Sequence, residues 1–155
     1  MSASRGMTPE DLTRILFVTE PQISPDGRRV AFVVTSLSEE RDEYLANIWI
    51  VGVDGGTPRR FTAGPRRDIE PRWSPDGTRL AFLSERAPKD KLQLYVMPAD
   101  GGEPTKLTAL EHGVSSIAWA PDGTRLAFVS PVGGQKEPES EEEKRKSRPA
   151  ASSPR

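Results

Sequence analysis

The chain contains no cysteine. Disulfides and thiolate metal sites are therefore excluded, and a cytoplasmic location is the expectation. It contains a single histidine, His112, in Glu111-His112-Gly113 between two apolar segments. A triad base needs a nucleophile and an orienting carboxylate beside it, and a zinc site needs more than one nitrogen or sulfur ligand. His112 is read as a solvated turn residue, and neither a metal nor a cofactor is expected. An excess of charge of one sign is missing too: 22 Lys and Arg oppose 23 Asp and Glu, for a net charge of −1. That leaves no electrostatic case for nucleic acid or an anionic membrane. The longest apolar runs are four or five residues, far short of a membrane span. Residues Met1 to Asp11 carry no apolar core, so no secretory signal is expected.

What the chain does have is turn formers: 15 prolines and 13 glycines in 155 residues. That usage fits many short strands joined by tight turns. Three stretches share one pattern. They are Ile23-Ser-Pro-Asp-Gly-Arg-Arg-Val-Ala-Phe32, Trp73-Ser-Pro-Asp-Gly-Thr-Arg-Leu-Ala-Phe82 and Trp119-Ala-Pro-Asp-Gly-Thr-Arg-Leu-Ala-Phe128. A type I turn favours Ser at its first position, Pro at its second and Gly at its fourth, so each copy reads as strand, turn, strand. In the first copy Val30, Phe32 and Val34 lie on one face and Ala31 and Val33 on the other; a strand apolar on both faces is sandwiched.

Around these hairpins the order repeats. Thr8-Pro9-Glu10-Asp11 predicts a capped start for a short helix carrying Leu12, Ile15 and Leu16 and ending before Pro21. Ser36 to Leu45 reads as a solvated acidic loop. Strands are predicted at Asn47 to Val53 and Gln93 to Met97, hairpin turns at Asp54-Gly55-Gly56 and Asp100-Gly101-Gly102, and short closing strands at Pro58 to Thr62 and Pro104 to Thr108. The prolines of the turns, Pro25, Pro75 and Pro121, are spaced by 50 and 46 residues. Four strands per unit at that period is the pattern of propeller blades. The predicted fold is all-β: an incomplete β-propeller of four-stranded antiparallel blades, two complete and a third half present. Its parts are a leader and short helix at 1–19, blades at about 20–62, 69–108 and 114–130, and a charged tail at 131–155 predicted to be disordered.

These residues resemble a known repeat. Ser-Pro-Asp-Gly-x-Arg-Leu-Ala-Phe, followed by a strand with Trp or Tyr and then Asp-Gly-Gly, is similar to the PD40 or TolB-like propeller repeat. Thr8-Pro-Glu-Asp-Leu12 with Pro21-Gln-Ile-Ser-Pro-Asp-Gly27, and Gln93-Leu-Tyr-Val-Met-Pro-Ala-Asp-Gly-Gly102 with Lys106-Leu-Thr108, resemble acylaminoacyl-peptidase-like members of the prolyl oligopeptidase family of serine peptidases (S9). The resemblance covers roughly residues 7–130. It implies a propeller that limits the access of peptide substrates to an α/β-hydrolase domain bearing a Ser-Asp-His triad. This chain has no Gly-x-Ser-x-Gly elbow, so no catalytic residue carries over and the chain alone is expected to be inactive. The alternative is a non-enzymatic TolB- or WD40-like module for protein interaction.

The residues that most invite a chemical reading are expected to be structural. Ser24 and Ser74 precede proline and initiate turns, and Ala120 stands at the same place in the third copy. Asp26, Asp76 and Asp122 are turn residues on separate blades. Gly55-Gly56 and Gly101-Gly102 lack the Lys-Ser/Thr of a phosphate loop. Arg59-Arg60 and Arg66-Arg67 read as solvated surface charge, and Glu137 to Arg148 as a linker. Trp73 and Trp119 read as packing between blades. The expected catalytic, cofactor and metal residues are therefore none. Each blade face covers roughly 300–350 Å², so two exposed apolar ends predict self-association.

Overall fold

A computed structural model of the chain describes residues 6, 8, 11, 14–38, 43–87 and 89–132. Ten strands follow one another: β1 (Phe17–Ile23), β2 (Arg29–Ser38), β3 (Glu43–Gly52), β4 (Arg59–Arg60), β5 (Arg67–Trp73), β6 (Arg79–Glu85), β7 (Gln93–Pro98), β8 (Thr105–Lys106), β9 (Ser115–Trp119) and β10 (Leu126–Val129). Strands β1 to β4 pair antiparallel in sequence order, as do β5 to β8, which makes two four-stranded blades. A single parallel bridge, Ala46 with Arg67, joins them. Strands β9 and β10 form the inner half of a third blade.

Each blade starts with the same irregularity. The register slips between Thr19 and Gln22 and between Ile69 and Arg72. The residues at these bulges, with their counterpart in β9, take left-handed backbone: Glu20 at φ 55°, Glu70 at 57° and Ser116 at 52°. A bulge sharpens the local twist, and here it re-aims a side chain at the neighbouring blade.

The core lies between blades. One layer, holding Val33, Ile48, Trp73, Leu80, Phe82 and Met97, fills the junction of the first two. A second, holding Leu83, Leu94, Val114 and Ile117, fills the junction of the second and third. In β6 alternate residues serve the two layers, and Leu80 to Leu83 are all at most 1% exposed. In β2 only Ala31 and Val33, which face blade two, are buried; Val30, Phe32 and Val34 are half-buried.

Two expectations are corrected. Among the described residues only Asp11 is helical, and the predicted helix does not run on to Pro21. Asp11 does cap a turn, its carboxylate accepting the Thr8 backbone N–H at 2.9 Å and the Thr8 hydroxyl at 3.2 Å. The segment from Phe17 onward, however, is strand β1, with Phe17, Val18 and Thr19 paired to Thr35, Val34 and Val33. Those β-branched and aromatic residues gain a partner strand, which outweighs a weak helical pattern only two turns long. Ser36 to Leu45 is paired at both its ends: Ser36, Leu37 and Ser38 pair with Leu45, Tyr44 and Glu43, extending the hairpin, while 39–42 lie outside the described residues. The tail beyond residue 132 lies outside the described residues.

Candidate functional site

The repeated hairpin turns are built from their own side chains. Ser24 donates its hydroxyl to Asp26 Oδ1 at 2.5 Å and accepts the Arg29 N–H at 2.9 Å. Ser74 repeats both contacts with Asp76 and Arg79. A hydroxyl that donates to a carboxylate and is only 2% or 0% exposed is not an available nucleophile. Where Ala120 replaces the serine, Asp122 keeps the N–H that Asp26 and Asp76 also accept, from Thr124, and takes the Thr124 hydroxyl. Gly27, Gly77 and Gly123 close the turns at φ near 70°, a conformation only glycine adopts freely.

These bonds favour the ionised carboxylates. The Ser74 hydroxyl, then the Thr78 N–H, pull Asp76 down to about 2. Asp26 is lowered by Ser24 and then Arg28, and Asp122 by the Thr124 N–H and then its hydroxyl. A folded-state value below the unfolded value of about 3.9 contributes stability that is complete above that value and is lost as pH falls. For Asp76 the window runs from about pH 4 down to about pH 2. Asp76→Asn should flatten this acid limb in a pH series of thermal melts. An unchanged limb would remove Asp76 from the account.

Four contacts then recur from blade to blade, and a fifth recurs one residue out of step. The Trp73 indole N–H reaches the Gln22 carbonyl at 3.1 Å, and that of Trp119 the Arg72 carbonyl at 3.0 Å. Arg29 lies 4.8 Å above the Trp73 ring, and Arg79 4.8 Å above that of Trp119. Arg29 donates to the Gly77 carbonyl at 3.4 Å and Arg79 to that of Gly123 at 2.7 Å. Pro25 packs on Gly77, and Pro75 on Gly123. From the bulges, Glu20 accepts the Glu70 N–H at 2.5 Å and Glu70 the Ile117 N–H at 2.9 Å. Trp73 and Trp119 are thus inter-blade residues, as expected. The arginine and glutamate partners were not singled out from sequence. Their signal was present: Arg29, Arg79 and Arg125 hold one repeat position, Glu20 and Glu70 another.

The basic clusters divide. Arg59 and Arg60 are exposed on β4. Arg66 is not solvated surface charge: it binds both oxygens of Glu43, at 3.0 and 2.9 Å, and Glu85 at 2.8 Å. It clamps the start of blade two to the β2–β3 hairpin, a partnership that needs the hairpin extension described above. Beside it Asp68, wholly buried, accepts the Ser84 hydroxyl at 2.6 Å and the Gly64 N–H at 3.0 Å. Arg86 stands 3.8 Å from Asp68 and 4.9 Å above the Tyr95 ring.

His112 is exposed in the turn between blades two and three. Gly55-Gly56 and Gly101-Gly102 sit in hairpin turns with φ between 98° and 132°. Glu137 to Arg148 lies outside the described residues. Among the described residues no three His, Cys, Asp or Glu side chains are grouped to hold a metal. An apolar groove of about 550 Å³ is lined by Leu94, Val96, Leu107, Trp119, Leu126 and Phe128. It lies where a third strand of the last blade would pack. The contacts that recur in this structure join one blade to the next.

Comparison with known proteins places the fold: residues 14–149 match the family described as the TolB beta propeller domain, PD40. The chain belongs to that family. It is 46% identical over 89 residues to the "Uncharacterized peptidase YuxL" of Bacillus subtilis, a match covering 57% of this chain and 13% of that protein. It is 32% identical over 83 residues to "Dipeptidyl-peptidase 5" of Porphyromonas endodontalis, covering 54% and 12%. Among solved structures, the acylaminoacyl peptidase of Pyrococcus horikoshii superposes with a TM-score of 0.62 at 25% identity, over 83% of this chain and 19% of that one. The chain thus matches about an eighth of the length of the curated relatives. The repeat that names the TolB propeller family is the same one that builds its blade junctions.

Proposed function

We propose that this chain is the leading part of the propeller of an acylaminoacyl-peptidase-like serine peptidase of the prolyl oligopeptidase family. In such a protein the propeller screens peptides on their way to a hydrolase domain. The observation that carries this reading is the 46% identity over 89 residues to a protein named as a peptidase. The solved acylaminoacyl peptidase, similar over 83% of this chain, supports it. In this reading the chain contributes no nucleophile, since Ser24 and Ser74 are committed to their turns. The cytoplasmic location belongs to the same proposal.

The purified chain should release no chromophore from acyl-peptide chromogenic substrates. Turnover abolished by a serine-directed inhibitor would overturn that. The origin of the chain is tested by the genomic DNA beyond the Arg155 codon. Further blades and a Gly-x-Ser-x-Gly segment, in any phase, are the expected finding. Unrelated sequence there would favour the non-enzymatic TolB-type module.

A further inference from the structure

One group of residues in blade two breaks the repeat. Asp68 and Ser84 are paired across β5 and β6, and Arg86 follows the end of β6. In blade one the corresponding pair is Val18 and Val34, and Ser36 takes the place of Arg86, each 50 residues earlier. Blade one thus forms the same hairpin with apolar residues where blade two buries a carboxylate. Taking a charge out of water costs free energy that an apolar pair of similar volume does not. The blade plan does not require this group, so it has another use.

That use centres on Arg86. Asp68 accepts the Ser84 hydroxyl on one oxygen and the Gly64 N–H on the other. Its Oδ1 stands 3.8 Å from Arg86 Nη2, close enough to balance charge and too far for a hydrogen bond. The Tyr95 ring covers one flat face of the guanidinium at 4.9 Å. Among the described residues Arg86 makes no hydrogen bond, and its Nη2 is buried without an acceptor. A guanidinium presents several N–H donors in a planar fork, and buried donors are ordinarily satisfied. Here the fork is held in place by a buried charge and an aromatic face, and no protein group accepts from it.

Arg86 borders a cleft of about 430 Å³ between the β6–β7 connection and the segment after β8. Lys89, Lys91 and Lys106 line it too, against the carboxylates of Asp90 and Glu111. All of these are exposed, and none has an ion pair among the described residues. We infer that this cleft is a binding site for a small carboxylate, held bidentate by the Arg86 fork with the lysines adding positive charge around it. A carboxylate is the planar, two-oxygen acceptor that the fork matches. Asp90 and Glu111 keep the net positive charge of the rim low, which favours a singly charged ligand over a phosphate dianion. The volume is within the range of small-ligand sites. The inference rests on blade two alone and does not depend on the peptidase reading.

The test is a titration of the full chain with sodium N-acetylglycine at constant ionic strength, followed by the NMR signals of the Tyr95 and Ala109 backbone amides. A saturable shift is expected, and N-acetylglycine amide, which lacks the carboxylate, should give none. Arg86→Lys keeps a cation beside Asp68 but loses the fork, and should bind at least about tenfold more weakly. Lys106 and Glu111 are exposed, so their substitution leaves the fold intact. Lys106→Ala should weaken binding about threefold, and Glu111→Gln should tighten it about threefold, a gain that a damaged fold does not give. Acetate as a second probe separates two sources of the same chemistry: equal affinity assigns the site to the bare carboxylate, and weaker affinity assigns it to a peptide end. No saturable shift, an equal response to the amide, an Arg86→Lys affinity equal to that of the natural chain, or tighter binding of inorganic phosphate would overturn the inference.

Discussion

Asp68→Ala is expected to lower the unfolding free energy by about 3 kcal/mol, the low end of what removing one partner from a buried pair costs. Asp68 is wholly buried, and its two oxygens collect the Ser84 hydroxyl, the Gly64 N–H and the Arg86 guanidinium. Alanine leaves the first two without a partner in a site closed to water, and each such loss is costly when the acceptor was charged. Arg86 is 30% exposed and can turn toward solvent, which is why the upper end is not expected. Asp68→Asn should cost less. Its amide can donate to the Ser84 oxygen while its carbonyl keeps the Gly64 N–H, and only the charge is lost. Urea denaturation with an unchanged m-value measures both. An Asp68→Ala midpoint equal to that of the natural chain would mean that the site is wet.

The larger effect belongs to the first blade junction. Trp73→Ala should cost about 3–5 kcal/mol, the range for deleting a buried aromatic side chain. Trp73 is only 8% exposed, sits in the apolar layer with Leu80 and Phe82, and is covered by Arg29. Its removal also strands the Gln22 carbonyl. Trp119→Ala makes the same polar losses, yet Trp119 is half-exposed beside the open groove, so about half the cost is expected. The pair is a direct check on the blade junctions. Equal costs would mean that the groove is filled in solution. For a domain of ordinary stability, about 5–15 kcal/mol in total, the Trp73 change alone approaches the threshold of unfolding.

Most of the blade plan is legible without coordinates. Ser-Pro-Asp-Gly is a local instruction: its proline sets one φ, its serine and aspartate bond within the turn, and its glycine accepts a φ of 71°. The spacing of 50 and 46 residues follows from counting those turns. What misled the reading were segments whose local preference is weak. Leu12 to Leu16 has helical spacing, but Phe17 onward becomes a strand because β2 lies alongside. Ser36 to Leu45 is polar, yet its ends pair because the hairpin below it fixes their register. Arg66 looked like surface charge because Glu43 and Glu85 lie 23 and 19 residues away in sequence.

By itself, then, the sequence determined the hairpins and the four-stranded repeat, because each of these depends on residues close together in the chain. The tertiary structure alone decided which partners those residues meet across a blade junction. The indole of Trp73 meets Gln22 across 51 residues and the carboxylate of Glu20 meets Glu70 across 50. Such contacts depend on how far each blade is twisted and displaced against its neighbour, and no local preference encodes that.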